Sequence, residues 1–167
     1  MRHVVLIGFM GAGKTTLGKG LADKLSYSFR DLDEVIVERE GKSIPELFAV
    51  GGETAFRAAE RAALESLKDI SRPTVLAAGG GTPCFGDNLS LLRAWGDVVY
   101  LHVSPAKLAA RLAPQKANRP LIASLRDEEL VDFIETLLTE RTPYYMQADI
   151  VLENPTLEDL LDSLKKD

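Results

Sequence analysis

The chain has 167 residues, of which 46% are hydrophobic and 27% are charged, as in an ordinary globular protein with one core. The formal net charge of −5 disfavours a nucleic-acid partner, so any anionic ligand must be met by locally concentrated cations. Cys84 is the lone cysteine, which excludes an internal disulfide and favours a reducing compartment. We therefore expect one domain over residues 1–167, located in the cytoplasm and without a membrane span.

Residues 8–15 connect a β-branched run to a helical one and read Gly-Phe-Met-Gly-Ala-Gly-Lys-Thr. This is the pattern of a phosphate-binding loop, in which glycines let successive backbone N–H groups point at a polyphosphate. Lys14 can reach the terminal phosphates, and the Thr15 hydroxyl can ligate Mg²⁺. The sequence therefore predicts a nucleoside triphosphate site, whose expected contacts are Gly11, Ala12, Gly13, Lys14, Thr15 and Thr16.

Five strand-like runs alternate with helical stretches, a pattern typical of βαβ units. We expect an α/β fold with a parallel sheet and helices on both of its faces. In open parallel sheets, ligands bind beyond the carboxyl ends of the strands. The predicted strands cover residues 4–7, 28–32, 74–78, 98–103 and 150–153.

Capping and breaking signals locate the helices between these strands. Residues 112–126 include two prolines and show little periodicity, which predicts a flexible loop. Pro143 predicts that the helix beginning at Asp127 ends near residue 141. A capping box at Ser43 begins a short helix to about residue 50, which the Gly51-Gly52 pair separates from a longer helix. The predicted helices cover about residues 14–25, 43–50, 53–68 and 127–141, and two more begin at Ser104-Pro105 and Thr156.

Two carboxylates and a triple glycine follow predicted strands. On an extended segment Asp31 and Asp33 would point to one face, whereas in a turn they would diverge toward different targets. One could then bind a metal or its water and the other a substrate hydroxyl, or both could lie in a solvated turn. Gly79, Gly80 and Gly81 are entropically costly after a buried strand, which indicates a close approach to the backbone.

Several arginines could supply the cations that an acidic chain needs. Arg57, Glu60 and Arg61 share one side of a predicted helix, where they form either an exposed salt-bridge ladder or the edge of a pocket. Arg119 lies in the proline-bearing loop, where a mobile cation could close over a transferring phosphate. Arg141 is placed at a predicted helix end, where a cation also complements the helix dipole.

Taken together and in this order, the motifs resemble those of shikimate kinase, over essentially the whole chain. They are Gly-x-Met-Gly-Ala-Gly-Lys, Asp-Leu-Asp, Gly-Glu-x-x-Phe-Arg-x-x-Glu, Gly-Gly-Gly, Arg-Pro-Leu and Glu-Arg-x-Pro-x-Tyr. The resemblance implies a five-stranded parallel sheet of the nucleoside monophosphate kinase type. It also implies transfer of the γ-phosphoryl group of ATP, bound with Mg²⁺, to the 3-hydroxyl of shikimate in aromatic amino-acid (chorismate) biosynthesis, by a monomer whose partners are these two small molecules.

By this resemblance, Asp33 would bind the accepting hydroxyl and take its proton, and Asp31 would lie near the Mg²⁺ held by Thr15. Lys14 and Arg119 would neutralise the transferring phosphoryl group, with Arg119 carried on a lid over residues 112–126. The nucleotide would also contact Arg111, Arg119 and the Asn154-Pro155 turn. The expected substrate contacts are Asp33, Phe48, Phe56, Arg57, Gly79, Gly80, Gly81 and Arg141.

Two departures from the family pattern could alter the shape of the pocket. Thr82-Pro83-Cys84 is bulkier and stiffer than expected after the triple glycine, and Tyr144 stands where leucine is common.

Three other functions are less consistent with the sequence than shikimate kinase. A related kinase acting on gluconate or a nucleoside monophosphate is the nearest, but the arginine pair with Asp33 favours a hydroxylated carboxylic acid. A guanine-nucleotide switch should carry Asn-Lys-x-Asp and Asp-x-x-Gly, and the sequence has neither. A catalytically silent regulatory module is disfavoured because Lys14, Thr15 and Asp33 are all retained.

Overall fold

A computed structural model describes residues 2–165, which form five strands, seven α-helices and three short 3₁₀ helices. In chain order the strands and α-helices are β1 (His3–Ile7), α1 (Lys14–Leu25), β2 (Ser28–Asp31), α2 (Leu32–Glu40), α3 (Ile44–Ser66), β3 (Thr74–Ala77), α4 (Asn88–Trp95), β4 (Gly96–His102), α5 (Pro105–Leu112), α6 (Asp127–Tyr145), β5 (Ile150–Glu153) and α7 (Leu157–Leu164). The 3₁₀ helices are Leu67–Asp69, Thr82–Cys84 and Ala113–Asn118.

All five strands are parallel, in the sheet order β2-β3-β1-β4-β5. The central strand β1 pairs with β3 on one side and with β4 on the other, so that Val5 lies opposite both Leu76 and Val98. Every residue of β3 is buried, as are the last four of β1, because helices cover both faces of the sheet. The predicted α/β fold with a parallel sheet is confirmed.

The predicted strands are all present, and their limits shift by no more than two residues. The largest consequence is at Leu32, which was expected to end β2 and instead begins α2. Asp31 caps this helix, since its carboxylate accepts a hydrogen bond from the Asp33 N–H at 2.9 Å. The structure contains two helices, α2 and α4, that the sequence did not predict.

The predicted break at Gly51-Gly52 is confirmed as a kink within α3. Gly52 has a φ of 67° and a ψ of −161°, which favour glycine, and helical geometry resumes after it. The capping box between Ser43 and Glu46 is also present.

The predicted end of α6 near residue 141 is wrong, because the helix continues through Pro143 to Tyr145. Proline removes only one backbone donor this close to a helix end, and the Met146 N–H still bonds to the Thr142 carbonyl oxygen at 2.9 Å. The side chain of Tyr145 is completely buried. Its packing therefore offsets the local cost of the proline.

The segment 112–126 has more regular structure than the predicted loop. It contains the 3₁₀ helix Ala113–Asn118 and a run of turns, and Ile122 within it is completely buried. Among residues 2–165, no helix is both long and apolar enough to cross a bilayer.

Candidate active site

A cleft of about 770 Å³ opens at the edge of the sheet where all five strands end. The loops that follow the strands line it, as expected for an open parallel sheet. The lining residues are Met10, Gly11, Ala12, Gly13, Lys14, Thr15, Thr16, Leu17, Asp31, Asp33, Ala77, Ala78, Gly79, Gly80, Val103, Arg111, Gln115, Arg119 and Pro155.

The phosphate-binding loop forms one wall of this cleft. Gly11 and Gly13 have φ angles of 79° and 97°, so the loop curls in a way that favours glycine. Gly13 precedes α1 without a side-chain cap, which leaves the first N–H groups of α1 for a ligand. The ammonium of Lys14 donates hydrogen bonds to the carbonyl oxygens of Gly8 and Phe9.

Burial lowers the pKa of Lys14 to about 7, and the positive charges of Arg141 and Arg119 act in the same direction. The carboxylates of Asp33 and Asp31 act against this shift. The side chain of Lys14 is therefore an amino group whose protonation state depends on the charge of any ligand nearby.

Asp31 and Asp33 diverge, as expected if their segment turns. The Thr15 hydroxyl and Asp31 Oδ2 lie 3.3 Å apart, so two oxygen ligands face the same part of the cleft. Desolvation raises the pKa of Asp33 above its usual range, and the negative charges of Asp31 and Glu60 raise it further. A carboxyl with a raised pKa at a cleft is a candidate general base.

Charged side chains of the site lie beside all three residues of the triple glycine, and Gly79 also lies beside Thr82 and Glu60. A methyl group placed on Gly79 would lie 3.7 Å from Asp33 Oδ1. On Gly80 it would lie 3.0 Å from Arg141 Nη1, and on Gly81 2.8 Å from Arg57 Nη2. The segment therefore allows these three side chains to approach one stretch of backbone.

Arg57 is fixed by its own helix neighbour. Its Nη1 lies 2.8 Å from Glu60 Oε1, and Glu60 is buried with 1% of its side chain exposed. The Arg57–Glu60 pair is therefore a pocket contact and not part of an exposed ladder, although Arg57 also lies 3.6 Å from the exposed Glu53. Arg61 points elsewhere, to Glu65 and Asp87.

Phe48 and Phe56 stack on one another with ring centroids 4.8 Å apart, and the Arg57 guanidinium lies 5.0 Å from the Phe56 ring centroid. Phe56 thus lies beside Arg57, and Phe48 lies beside Phe56; none of these three residues lines the main cleft. Arg141 lies 5.5 Å from the ring centroid of Phe9, at the start of the phosphate-binding loop.

Arg111 and Arg119 also line the cleft. Arg111 donates to the Gly11 carbonyl oxygen at 3.2 Å, and Pro155 lines the same end of the cleft. Arg119 donates to Gln115 at 3.4 Å, within its own segment.

Several residues contribute contacts to which the sequence assigned no role, although Tyr145 is the last residue of the Glu-Arg-x-Pro-x-Tyr motif. Tyr145 donates from its phenol to the Gly80 carbonyl oxygen at 2.5 Å, and Thr82 donates to Glu60 Oε2 at 2.8 Å. The Phe85 ring centroid lies 3.7 Å from the Arg57 guanidinium carbon. Only the unusual segment after the triple glycine signalled Thr82 in advance. Tyr144, the other departure, is exposed.

A phosphate-binding loop at the carboxyl edge of a parallel sheet, facing a carboxylate and a set of arginines, defines a P-loop kinase. The sequence model of the shikimate kinase family matches residues 10–163. The shikimate kinase of Phocaeicola vulgatus is 45% identical over 172 aligned positions, covering 99% of this chain and 98% of that protein. The chain belongs to the shikimate kinase family.

Solved structures agree with this assignment. The crystal structure of shikimate kinase from Bacteroides thetaiotaomicron has a TM-score of 0.91 and 38% identity, covering 98% of both chains. Shikimate kinase from Acinetobacter baumannii in complex with shikimate has a TM-score of 0.84 and 33% identity, covering 99% of this chain and 92% of that one.

Proposed function

We propose that this member of the shikimate kinase family transfers the γ-phosphoryl group of ATP to the 3-hydroxyl of shikimate at the cleft beside the phosphate-binding loop. The reaction is the family's, as part of aromatic amino-acid biosynthesis. The observation that carries the assignment of residues is the convergence of Asp33, Arg141 and Arg57 on three consecutive glycines next to Lys14. An anion-binding loop and a pair of guanidinium groups then hold two different anions around one carboxylate.

In this proposal the nucleotide lies along the loop of residues 11–16. The backbone N–H groups there and the start of α1 bind its phosphates. Lys14 and Arg119 neutralise the charge on the transferring group, whose transition state is loose and depends on positioning and electrostatics. Arg111 and Pro155 line the end of the cleft assigned to the adenosine part.

The acid substrate lies on the other side of Asp33. Arg57 and Arg141 bind its carboxylate by charge-assisted hydrogen bonds, each worth about 1.5–3 kcal/mol. Phe56 lies beside Arg57 and stacks on Phe48, and residues 79–81 let the substrate ring approach the backbone. Asp33 then accepts the proton of the hydroxyl that attacks the phosphorus.

The oxygen donors of Thr15 and Asp31 fit Mg²⁺, which prefers hydroxyl, carboxylate and phosphate oxygens. Within residues 2–165, no cluster of three or more acidic, His or Cys side chains could hold a metal alone, so the remaining ligands would come from the nucleotide and water. Bound there, Mg²⁺ would neutralise negative charge on the phosphates.

We also propose that one chain acts as a monomeric single domain with a mobile segment over residues 112–126. The side chains assigned to the reaction all lie within one domain, so the proposed site does not require a residue from a second copy of the chain. The lone Cys84 and the use of ATP support a cytoplasmic location.

An assay of ADP release with MgATP tests the function, with shikimate, gluconate and nucleoside monophosphates supplied in turn. We expect ADP release when shikimate is the acceptor, and none with gluconate or a nucleoside monophosphate. Faster release with gluconate or with a nucleoside monophosphate would assign the cleft to a different kinase, and release independent of any acceptor would indicate an ATPase.

A further inference from the structure

We propose that Thr82 and Phe85 are positioning residues for Arg57, Thr82 acting through Glu60 and Phe85 acting directly on the guanidinium. The inference rests on the proposed role of Arg57 in binding the substrate carboxylate. It assigns a purpose to the segment that departs from the family pattern after the triple glycine.

Thr82 completes the hydrogen bonding of a buried carboxylate. The Glu60 side chain is 1% exposed, and its two oxygens have different partners. Oε1 bonds to Arg57 Nη1 at 2.8 Å, and Oε2 accepts the Thr82 hydroxyl at 2.8 Å. Loss of the hydroxyl would leave Oε2 without this donor, so the carboxylate would turn and carry Arg57 with it.

Thr82 is itself held in place from two sides. Its N–H donates to the Gly79 carbonyl oxygen at 3.1 Å, and its own carbonyl oxygen accepts the Asn88 side-chain amide at 3.0 Å. Thr82 is completely buried, and it begins the 3₁₀ helix Thr82–Cys84, where Pro83 restricts the backbone. The hydroxyl therefore has a fixed position from which to orient Glu60.

Phe85 gives Arg57 a second contact, separate from the Glu60 contact. Its ring centroid lies 3.7 Å from the guanidinium carbon, closer than the 5.0 Å to the Phe56 ring. A guanidinium stacked on an aromatic face is favoured by electrostatics and by packing. Glu60 thus holds one nitrogen of Arg57 by a hydrogen bond, and Phe85 holds the guanidinium group by contact with its ring.

Two guanidinium nitrogens, Nε and Nη2, are not used by Glu60, and a ligand that binds both requires Nε, which is closed to solvent, to be uncovered. Nη1 is used by Glu60, whereas Nη2 lies beside Gly81. Nε is buried without a hydrogen-bond partner among residues 2–165, and its nearest charge is the exposed Glu53, 3.6 Å away. An Nε–Nη2 edge matches the two oxygens of a carboxylate.

The first test replaces Thr82 by Val, which keeps the shape and removes the hydroxyl. We expect the KM for shikimate to rise about tenfold, with kcat and the KM for ATP changed less than about twofold. Thr82→Ser should restore the KM for shikimate. Thr74→Val is the matched control, because Thr74 is also buried and donates to a carbonyl oxygen, that of Arg72, but lies at the start of β3 away from the cleft.

The second test replaces Phe85 by Leu, which keeps apolar bulk and removes the aromatic face. Phe85 is 36% exposed, so the fold should tolerate the change. We expect the KM for shikimate to rise about three- to tenfold, and Phe85→Tyr to restore it. Unchanged KM values for shikimate in both Thr82→Val and Phe85→Leu would overturn the inference, as would equal effects on the KM for ATP.

Combination with Arg57→Ala separates this inference from the function on which it rests. In that background Thr82→Val and Phe85→Leu should add no more than about twofold to the KM for shikimate. Full additivity would show that they act on the substrate without Arg57, and would overturn the inference alone. If Arg57→Ala itself left the KM for shikimate unchanged, the proposed carboxylate site would be wrong instead.

Discussion

Asp33, the proposed general base, lies where its charged form is disfavoured. Desolvation, followed by the charges of Asp31 and Glu60, raises its pKa above the ordinary value. A folded-state pKa above the unfolded one means that the folded chain holds this proton more tightly. Ionisation of Asp33 therefore lowers the stability of the fold as the pH rises through the raised pKa, by an amount that solvent screening keeps small because Asp33 is exposed.

We therefore expect Asp33→Asn to lower kcat by about 10²- to 10⁴-fold while raising the Tm at pH 7. The difference in Tm should shrink as the pH falls through the raised pKa, because wild-type Asp33 is then neutral too. Steady-state kinetics and thermal unfolding between pH 4 and 8 measure both effects. Glu34→Gln, one residue along on the exposed side of α2, should change neither; near-normal turnover in Asp33→Asn would remove Asp33 from the chemistry.

Lys14 links nucleotide binding to proton uptake. Its pKa is lowered to about 7, mainly by burial and then by Arg141 and Arg119, so at pH 8 most free protein carries the neutral amine. Phosphates beside the amine favour its charged form and raise its pKa again.

We expect ATP binding at pH 8 to take up close to one proton per site, and the affinity for ATP to weaken as the pH rises above 7. Calorimetric titrations in buffers with different ionisation enthalpies count the protons. In Lys14→Arg the guanidinium stays charged throughout, so the uptake should vanish even where binding persists. Proton release, or no exchange, in the wild type would contradict this assignment.

At the scale of elements, the last turn of α6 stabilises the triple glycine. Tyr145 is completely buried and donates to the Gly80 carbonyl oxygen at 2.5 Å, and Arg141 on the preceding turn lies beside the same glycine. Burial also raises the pKa of Tyr145, so its phenol stays protonated as a donor.

Tyr145→Phe keeps the ring and leaves the Gly80 carbonyl oxygen without this donor. We expect a loss of about 1 kcal/mol in the free energy of unfolding, or about 2–4 °C in Tm, with a larger rise in the KM for shikimate than for ATP. Calorimetry and two-substrate kinetics check this. Tyr144→Phe is the matched control, since Tyr144 is the exposed neighbour and should leave both measurements unchanged. Similar behaviour of the two variants would show that the hydrogen bond has no role in the site.

How much could be predicted from the sequence depended on how local each signal was. The strands, the phosphate-binding loop and the kink at Gly52 each follow from a few adjacent residues, and all are present. Helix α2 was missed because its start, at Asp31-Leu32-Asp33, also reads as a strand that ends in a turn. The extension of α6 past Pro143 depends on the burial of Tyr145 against another element, which the local pattern does not contain.

In the site, too, contacts within one element could be predicted from the sequence, and contacts between distant residues could not. The Arg57–Glu60 pair lies within one helix, so its spacing made it visible as either a surface ladder or a pocket edge. Thr82 meets Glu60 from 22 residues away, and Phe85 meets Arg57 across a similar separation. Such contacts depend on where the segment that follows β3 lies relative to α3, which no local sequence pattern contains.

At the scale of the whole molecule, the segment 113–124 differs from the rest of the cleft wall. Arg119 bonds to Gln115 within the same segment, and Ile122 anchors the segment to the core. Because Arg119 bonds only within its own segment in the part of the chain that the structure describes, its side chain can move with that segment toward a ligand without breaking contacts to other elements.

We expect binding of a non-hydrolysable ATP analogue to slow amide hydrogen exchange in residues 113–124 more than in strands β1 and β4. In Arg119→Ala most of that added protection should be lost, together with kcat. Exchange measured by mass spectrometry with and without the analogue provides the check. Equal protection of the segment in both proteins would show that Arg119 does not couple its order to the nucleotide.

The central place of β1 has a consequence for how the protein matures on the ribosome. β1 pairs only with β3 and β4, which follow it by about 70 and 90 residues, so the earliest-made strand waits for later ones before it has hydrogen-bonded neighbours. The loop that it carries emerges early and gains a rigid support late. A nascent chain should therefore begin to retain nucleotide only after β4 has left the exit tunnel.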